Sequence, residues 1–129
     1  MSEDYARPTY KAFTERAPDI YAGLAALTKG VDATGLDKGL TELVKVRASQ
    51  LNGCAFCLKF HLGVARKAGV AQEKLDLLAA WEEATAFSAR EKAALAWTEE
   101  LTLLGTGAAS QDAWEAVLEE FGDGAVFKP

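Results

Sequence analysis

The two cysteines and the single histidine of this chain fall within eight consecutive positions, in the stretch "LNGCAFCLKFH" at residues 51–61. Cys54 and Cys57 form a C-x-x-C pair, and His61 follows Cys57 at i+4. A helix that begins at Cys54 would place the three side chains within about 60° of one another on one face. The spacing is typical of a redox dithiol or a metal site, and the remaining interpretation is a pair of small buried side chains.

A redox centre needs a thiolate and a path for protons. Cys54 would lie in the first helical turn, where unsatisfied N–H groups and the helix dipole favour a thiolate. His61, one turn beyond Cys57, could exchange a proton with a thiol. If the helices on either side of Gly53 fold back as a hairpin, Glu42 comes level with His61 and could orient its imidazole.

The elements that position these residues are predicted to be helical throughout, since no segment shows the alternation of a half-buried strand. Ser88 and Glu91 form a capping box, Asp37 is a candidate N-cap, and Gly53 suits the left-handed position after a helix end. We predict an all-α fold, an antiparallel helical bundle in a single domain over residues 1–129. The predicted helices cover approximately residues 8–28 with a break at Pro18, then 38–51, 54–67, 72–83, 88–104 and 110–121.

The charge and the apolar runs of the sequence disfavour several classes of binding partner and location. The formal net charge of −5 over 129 residues disfavours nucleic acids and anionic membrane surfaces, which bind clustered Lys and Arg. The N-terminal ten residues lack the apolar core of a secretory signal, and no apolar run reaches the ~18 residues of a membrane span. We therefore expect a cytoplasmic protein, in a compartment where structural disulfides are rare. Trp81 and Trp97 are interpreted as core or subunit-contact residues.

The spacing E-x11-C-x2-C-x3-H, formed by Glu42, Cys54, Cys57 and His61, resembles the signature of the alkylhydroperoxidase D (AhpD)-like branch of the carboxymuconolactone decarboxylase family. The segments "NGCAFCLKFHLGVARKAGV" and "FSAREKAALAWTEELT" are also similar to helices of that family, so that the resemblance covers approximately residues 8–121. It implies an AhpD-like helical fold, a homo-oligomer (commonly a trimer or hexamer) and an antioxidant thiol peroxidase or disulfide reductase.

The resemblance also implies a role for each residue of the motif. Cys57 matches the thiolate that attacks the peroxide, Cys54 matches the resolving thiol, and His61 and Glu42 match the proton relay. The helix-dipole argument alone selects Cys54 as the nucleophile; we follow the family because the relay residues lie nearer Cys57. The implied substrate is a small hydroperoxide, and the implied electron donor is an external dithiol such as a lipoyl-bearing protein. No organic cofactor or metal is required.

The chain departs from the family pattern in two places. Phe56 stands where the founding peroxidase has a histidine, so one group of that enzyme's proton network is absent. Family members commonly continue with another helix after the position that matches Phe121, whereas this sequence ends at "GDGAVFKP". We expect the first departure to affect activity and the second to affect oligomer contacts and one wall of the site.

Two other classes of function compete with the peroxidase. A decarboxylase acting on a small lactone acid is the first, although family decarboxylases generally lack the cysteine pair and an anionic substrate would need convergent basic groups. The second is a non-catalytic helical module in which the cysteines pack or bind metal; a zinc ion would need Glu42 or a neighbouring subunit as fourth ligand. Glu42 could also pair with Lys38 or Lys45 on a solvated helix face.

Overall fold

The computed structural model describes residues 8–107 and 109–127, and these residues form α-helices and short 3-10 segments with no strand. The all-α prediction is confirmed. The chain divides into two compact units at Gly35–Leu36, so the single-domain assignment stays a prediction. None of the described helices is long and apolar enough to cross a bilayer. The helices are α1 (Tyr10–Arg16), α2 (Pro18–Ala33), α3 (Lys38–Asn52), α4 (Ala55–Lys67), α5 (Gln72–Leu77), α6 (Ala89–Thr102) and α7 (Gln111–Phe127).

The first unit holds α1 and α2, which are separated at Ala17 by a non-helical backbone (φ −130°, ψ 58°). Pro18 opens α2, as its fixed φ and missing N–H favour in a first turn. The predicted break is thus confirmed, but the predicted end near residue 28 is wrong. The helix continues through "GVDA" to Ala33, because an isolated glycine such as Gly30 does not stop a helix.

α2 presents an exposed apolar face, which we call the α2 stripe: Ile20, Leu24, Leu27 and Val31. These side chains are between 38% and 67% exposed, and α2 contains no buried residue. Their spacing of four, three and four residues places them on one side of the helix, as in the seam between paired helices. A contiguous apolar stripe of this kind indicates an interaction surface.

The second unit is built around α3, α4 and α6 and holds the hydrophobic core. Its segment after α5 differs from the predicted helix over 72–83, because α5 ends at Leu77 and a 3-10 segment follows over Leu78–Ala80. Leu75, Leu78 and Trp81 are buried at three-residue intervals, and this interval matches the three residues per turn of a 3-10 helix. The buried core residues are Leu43, Val46, Ala65, Leu75, Leu78, Trp81, Phe87 and Leu95.

The turn between α3 and α4 determines which residues of the two helices meet. Asp37 caps α3 by accepting a hydrogen bond from the Leu40 N–H (3.0 Å). Gly53 ends the helix with φ 62°, in the left-handed region that favours glycine. The N–H of Cys54 then donates to the Ser49 carbonyl (3.1 Å). These features confirm the predicted hairpin and bring α4 back along α3.

The capping box predicted at the start of α6 is present: the Glu91 N–H donates to Ser88 Oγ, and Glu91 accepts from the Ser88 N–H. The sequence predicts that the last helix stops at Gly122. The backbone at Gly122 is non-helical (φ 70°, ψ 164°), but helical structure resumes and extends to Phe127. The predicted break at Gly122 is confirmed, and the predicted end of the last helix at Phe121 is wrong.

Candidate active site

The reactive pair lies at the N-terminus of α4, where Cys54 is the N-cap residue (φ −91°, ψ 99°) and Cys57 lies in the first turn. The two residues form a disulfide, with their Cα atoms 5.3 Å apart. The N–H of Cys57 donates to Cys54 Sγ at 3.2 Å. Both cysteines are half-buried. The sulfur of Cys54 therefore occupies the position in which a helix N-terminus stabilises negative charge.

The predicted partnership of Glu42 and His61 is present across the hairpin. His61 Nδ1 lies 3.2 Å from Glu42 Oε2, although the two residues are nineteen positions apart. An ionised carboxylate can only accept a hydrogen bond, so Nδ1 donates in that state and Nε2 is the nitrogen left to take or give a proton. Since His61 lies one turn beyond Cys57 on α4, Glu42 contacts an imidazole that belongs to the same helix as Cys57.

Glu42 is 2% exposed, which makes it a buried charge rather than a residue of a solvated face. Its carboxylate lies 3.9 Å from Lys38 Nζ and 3.8 Å from Lys45 Nζ, the pairs proposed for the alternative interpretation. These pairs coexist with the contact to His61 instead of replacing it. A buried carboxylate is costly unless it is paired and hydrogen-bonded, and here α3 supplies two ammonium groups and α4 supplies the imidazole.

An aromatic pair lies beside these groups on α4. The rings of Phe56 and Phe60 stack with centroids 6.4 Å apart, and the Phe60 ring meets the His61 ring edge to face at 5.1 Å. Both phenylalanines are more than half exposed (55% and 56%). The sequence singled out Phe56 only as a missing histidine and gave Phe60 no role. Phe60 is the ring that contacts the proposed relay.

A second polar network joins α3 to α6 and was not predicted. Arg47 Nε and Nη2 both donate to Glu99 Oε1 (3.1 and 2.9 Å), and Trp81 Nε1 donates to the same oxygen (2.7 Å). Glu99 is thus bound within the unit by three hydrogen bonds. The three residues line an open pocket of about 490 Å³ together with residues 79, 80, 82 and 83. No residue of the Cys–His–Glu motif contributes to that lining.

Metal binding has no preformed site in the part of the chain that the structure describes, because no three His, Cys, Asp or Glu side chains there are grouped to hold an ion. Both thiols are engaged in the disulfide. In this state the arrangement offers a two-electron acceptor, the disulfide, and a proton-transfer group, His61 with Glu42.

Comparison with known families agrees with this geometry. The family described as "Carboxymuconolactone decarboxylase family" matches residues 18–100, which include the disulfide, His61 and Glu42. Because the match spans more than half of the chain, the protein belongs to the carboxymuconolactone decarboxylase family. The resemblance inferred from the motif is confirmed at this level.

Two relatives extend the comparison. YdfG, an uncharacterized protein of Bacillus subtilis, is 33% identical over 110 residues, which cover 85% of this chain and 75% of YdfG. A crystal structure of ATU0492 from Agrobacterium tumefaciens, a protein of unknown function described as a candidate antioxidant defence protein AhpD, superposes with a TM-score of 0.84 and 30% identity. The superposition covers 90% of this chain and 80% of that one. The fold is therefore AhpD-like.

Proposed function

We propose that this protein is a thiol-dependent peroxidase that reduces organic hydroperoxides through the Cys54–Cys57 pair. The observation that carries the proposal is the 3.2 Å contact between Glu42 and His61, one helical turn from a half-buried C-x-x-C disulfide. A structural disulfide does not need an oriented imidazole with a buried carboxylate partner, whereas peroxide reduction needs a group that protonates the departing alkoxide. Membership of a family with an AhpD-like branch supports the same function.

The oxidative half-reaction begins from the reduced dithiol. The Cys57 thiolate attacks the terminal oxygen of the hydroperoxide; an S–O bond forms, the O–O bond breaks, and His61 Nε2 supplies the proton that turns the alkoxide into an alcohol. Cys57 is then a sulfenic acid. Cys54 gives its thiol proton to His61 Nε2, attacks the sulfur of Cys57 and forms the S–S bond; the S–O bond breaks, and the oxygen leaves with that proton as water. The N–H of Cys57, which lies 3.2 Å from Cys54 Sγ, stabilises the Cys54 thiolate for this second attack.

These different roles for Cys54 and Cys57 agree with both predictions made from the sequence. The helix-dipole argument selects Cys54 as the more stable thiolate, and the family resemblance assigns peroxide attack to Cys57. A stabilised thiolate is a good resolving group and a good leaving group. An external dithiol therefore attacks Cys57, expels Cys54 and leaves as a disulfide, so that two electrons and two protons return to the protein. A lipoyl-bearing protein is one donor with this chemistry.

We also propose that the protein self-associates and that it is located in the cytoplasm. Self-association through the α2 stripe would cover the apolar side chains that α2 exposes and would produce a homo-oligomer, such as the trimer or hexamer implied by the family resemblance. A cytoplasmic location, where dithiol donors are maintained in the reduced state, suits the catalytic cycle.

Steady-state turnover tests the proposal. Purified protein is supplied with cumene hydroperoxide and dihydrolipoamide, and alcohol formation is compared for wild type, Cys57→Ser and Cys54→Ser. We expect Cys57→Ser to lose at least about a hundredfold in rate, since it lacks the attacking thiolate, and Cys54→Ser to lose continuous turnover. A Cys57→Ser protein as active as wild type would refute the proposal.

The lyase alternative makes an opposite prediction about the thiols. The family name covers decarboxylases, and decarboxylation would not consume the Cys54–Cys57 pair. Carboxymuconolactone turnover that survives alkylation of both reduced cysteines would favour the lyase. Loss of all activity after alkylation would favour the thiol mechanism.

A further inference from the structure

The exposed side of α4 beside the reactive pair combines an apolar surface with direct contact to the proposed relay. Phe56 and Phe60 form a stacked, half-exposed pair, which we call the aromatic ridge. Large apolar side chains exposed next to one another are typical of binding surfaces. The ridge touches the relay because the Phe60 ring meets the His61 ring at 5.1 Å.

In a regular helix, Lys67 lies on the same side of α4 as Phe56 and Phe60, at the C-terminal end of the helix. At 100° per residue, Phe56, Phe60 and Lys67 lie within about 40° of one another, and the row is ~60–140° around the helix from Cys57 and His61. Lys67 is about 15 Å along the axis from Cys57. Lys67 is also exposed. A ligand that reacts at Cys57 and lies along the ridge would therefore reach Lys67.

Charge on this helix differs from charge on the rest of the chain. The chain as a whole carries a formal net charge of −5, yet the fixed charges of α4 are all positive: Lys59, Arg66 and Lys67. Arg66 is engaged with Gln72 (3.3 Å), while Lys59 and Lys67 are both exposed. An apolar ridge bordered by lysines is complementary to a ligand with an apolar body and an anionic end.

We propose that the aromatic ridge and its lysines bind amphiphilic hydroperoxides that carry a carboxylate, with the apolar chain over Phe56 and Phe60 and beside Lys59, the carboxylate toward Lys67, and the hydroperoxide group at Cys57. This inference rests on the proposed peroxidase and names its substrate class and the residues that determine specificity. It predicts that hydrogen peroxide, which has neither an apolar body nor an anionic end, is a poor substrate. Substitution of the ridge residues should therefore change the relative kcat/KM for different hydroperoxides more than it changes the rate of the chemical step.

The test compares kcat/KM for linoleic acid hydroperoxide, its methyl ester and hydrogen peroxide. In Phe56→Ala/Phe60→Ala, the ratio of kcat/KM for the acid hydroperoxide over hydrogen peroxide should fall at least about tenfold, because a pocket contact of one apolar group already discriminates by that factor. In Lys59→Gln/Lys67→Gln, the preference for the acid over the ester should fall up to about fivefold, the scale of exposed charge pairs. Leu101→Ala and Lys29→Gln, exposed positions on other helices, serve as controls and should change neither ratio.

A second readout does not depend on peroxide chemistry. Binding of linoleate to the oxidised protein, measured by calorimetry, should weaken at least about tenfold in Phe56→Ala/Phe60→Ala. Unchanged binding and unchanged ratios in an active peroxidase would overturn the ridge assignment and leave the proposed function intact. No turnover of any hydroperoxide by wild type would refute the proposed function, and linoleate binding would then decide the ridge alone. A ridge variant that changes only the sedimenting mass would identify a subunit contact and overturn the inference.

Discussion

Glu42 belongs to the proposed proton relay, and its charge is also buried, which is unfavourable unless the charge is compensated. A carboxylate with 2% exposure is tolerated because two ammonium groups and an imidazole surround it. The two lysines lie on the same helix within four residues, at 3.9 and 3.8 Å, and His61 contacts the carboxylate at 3.2 Å. We propose that this contact gives Glu42 a role beyond stability, namely to orient His61.

Replacement of Glu42 by glutamine tests that role. A glutamine side chain would keep the volume and a hydrogen-bond acceptor but remove the charge that orients and stabilises a protonated imidazole. We expect Glu42→Gln to slow disulfide formation by peroxide about tenfold to a hundredfold, measured by stopped-flow Trp fluorescence. Glu73→Gln, at an exposed position on α5, is the control. Equal rates for Glu42→Gln and wild type would show that the carboxylate is only structural.

Glu91 illustrates a different use of a carboxylate. Burial acts to raise its pKa, but the Lys74 ammonium at 2.7 Å and the hydrogen bonds from Ser88 outweigh burial and hold the pKa of Glu91 below its ordinary value. A group whose pKa is lowered by folding stabilises the folded state above its unfolded pKa, and this contribution is lost as the pH falls through the folded value. The Lys74–Glu91 pair should therefore stabilise the fold at neutral pH and fail in acid.

Glu91→Gln isolates the ion pair, since glutamine can still complete a capping box. At pH 7 the variant should lose about 1 kcal/mol in free energy of unfolding, measured by urea denaturation. The difference from wild type should shrink as the pH is lowered to about 3. Lys74→Met should give the same loss, and the double variant should lose little more than either single one. A difference that stayed constant over this pH range would contradict the lowered pKa.

The ends of helices could be predicted from the sequence wherever a rule that acts over a few residues determines them. Asp37, Gly53, Ser88 and Gly122 each act within a few residues, and the structure places a cap, a left-handed turn, a capping box and a break at these positions. The lengths of the helices were predicted less well than their ends at these four residues. α2 continues through Gly30, and the segment after Leu77 changes to a 3-10 helix because its buried residues recur every three positions.

Two glycines of the reactive hairpin should respond to alanine in opposite directions. Gly53 has φ 62°, a region that costs an L-residue about 1–2 kcal/mol, so Gly53→Ala should destabilise the protein. Gly63 lies inside α4, and a Cβ atom added there would meet no other atom within 4 Å, so Gly63→Ala should stabilise the protein by about 0.5–1 kcal/mol. Urea denaturation of both variants measures the difference. Shifts of the same sign would contradict the assigned backbone conformations.

The Glu42–His61 contact could be predicted from the sequence, because a hairpin places residues at about equal distances from its turn side by side. No comparable rule links Arg47 to Glu99, which are fifty-two positions apart. Their contact depends on how α3 packs against α6 and on the indole of Trp81, which donates to the same carboxylate. The exposure of the α2 stripe was not predicted either, because the predicted helix ended near residue 28, before Val31.

The α2 stripe predicts self-association. Charges at Leu24 and Leu27, which are 53% and 67% exposed, would be buried in any contact that covers the stripe, and burial of an unpaired charge is strongly unfavourable. We expect Leu24→Glu/Leu27→Glu to reduce the mass found by sedimentation from an oligomer to a smaller species. Ala22→Glu, about 140–180° around the helix from the stripe, should not. A wild type that sediments as a monomer would refute the proposed assembly.

The most direct test of the peroxidase is the intact mass of the reduced protein after brief exposure to one equivalent of an alkyl hydroperoxide. Wild type should lose two hydrogens as the Cys54–Cys57 disulfide forms. Cys54→Ser should instead gain one oxygen, which a sulfenic acid probe locates at Cys57. If both thiols of wild type remained reduced while the hydroperoxide persisted, the central proposal that Cys57 reduces hydroperoxides would be contradicted.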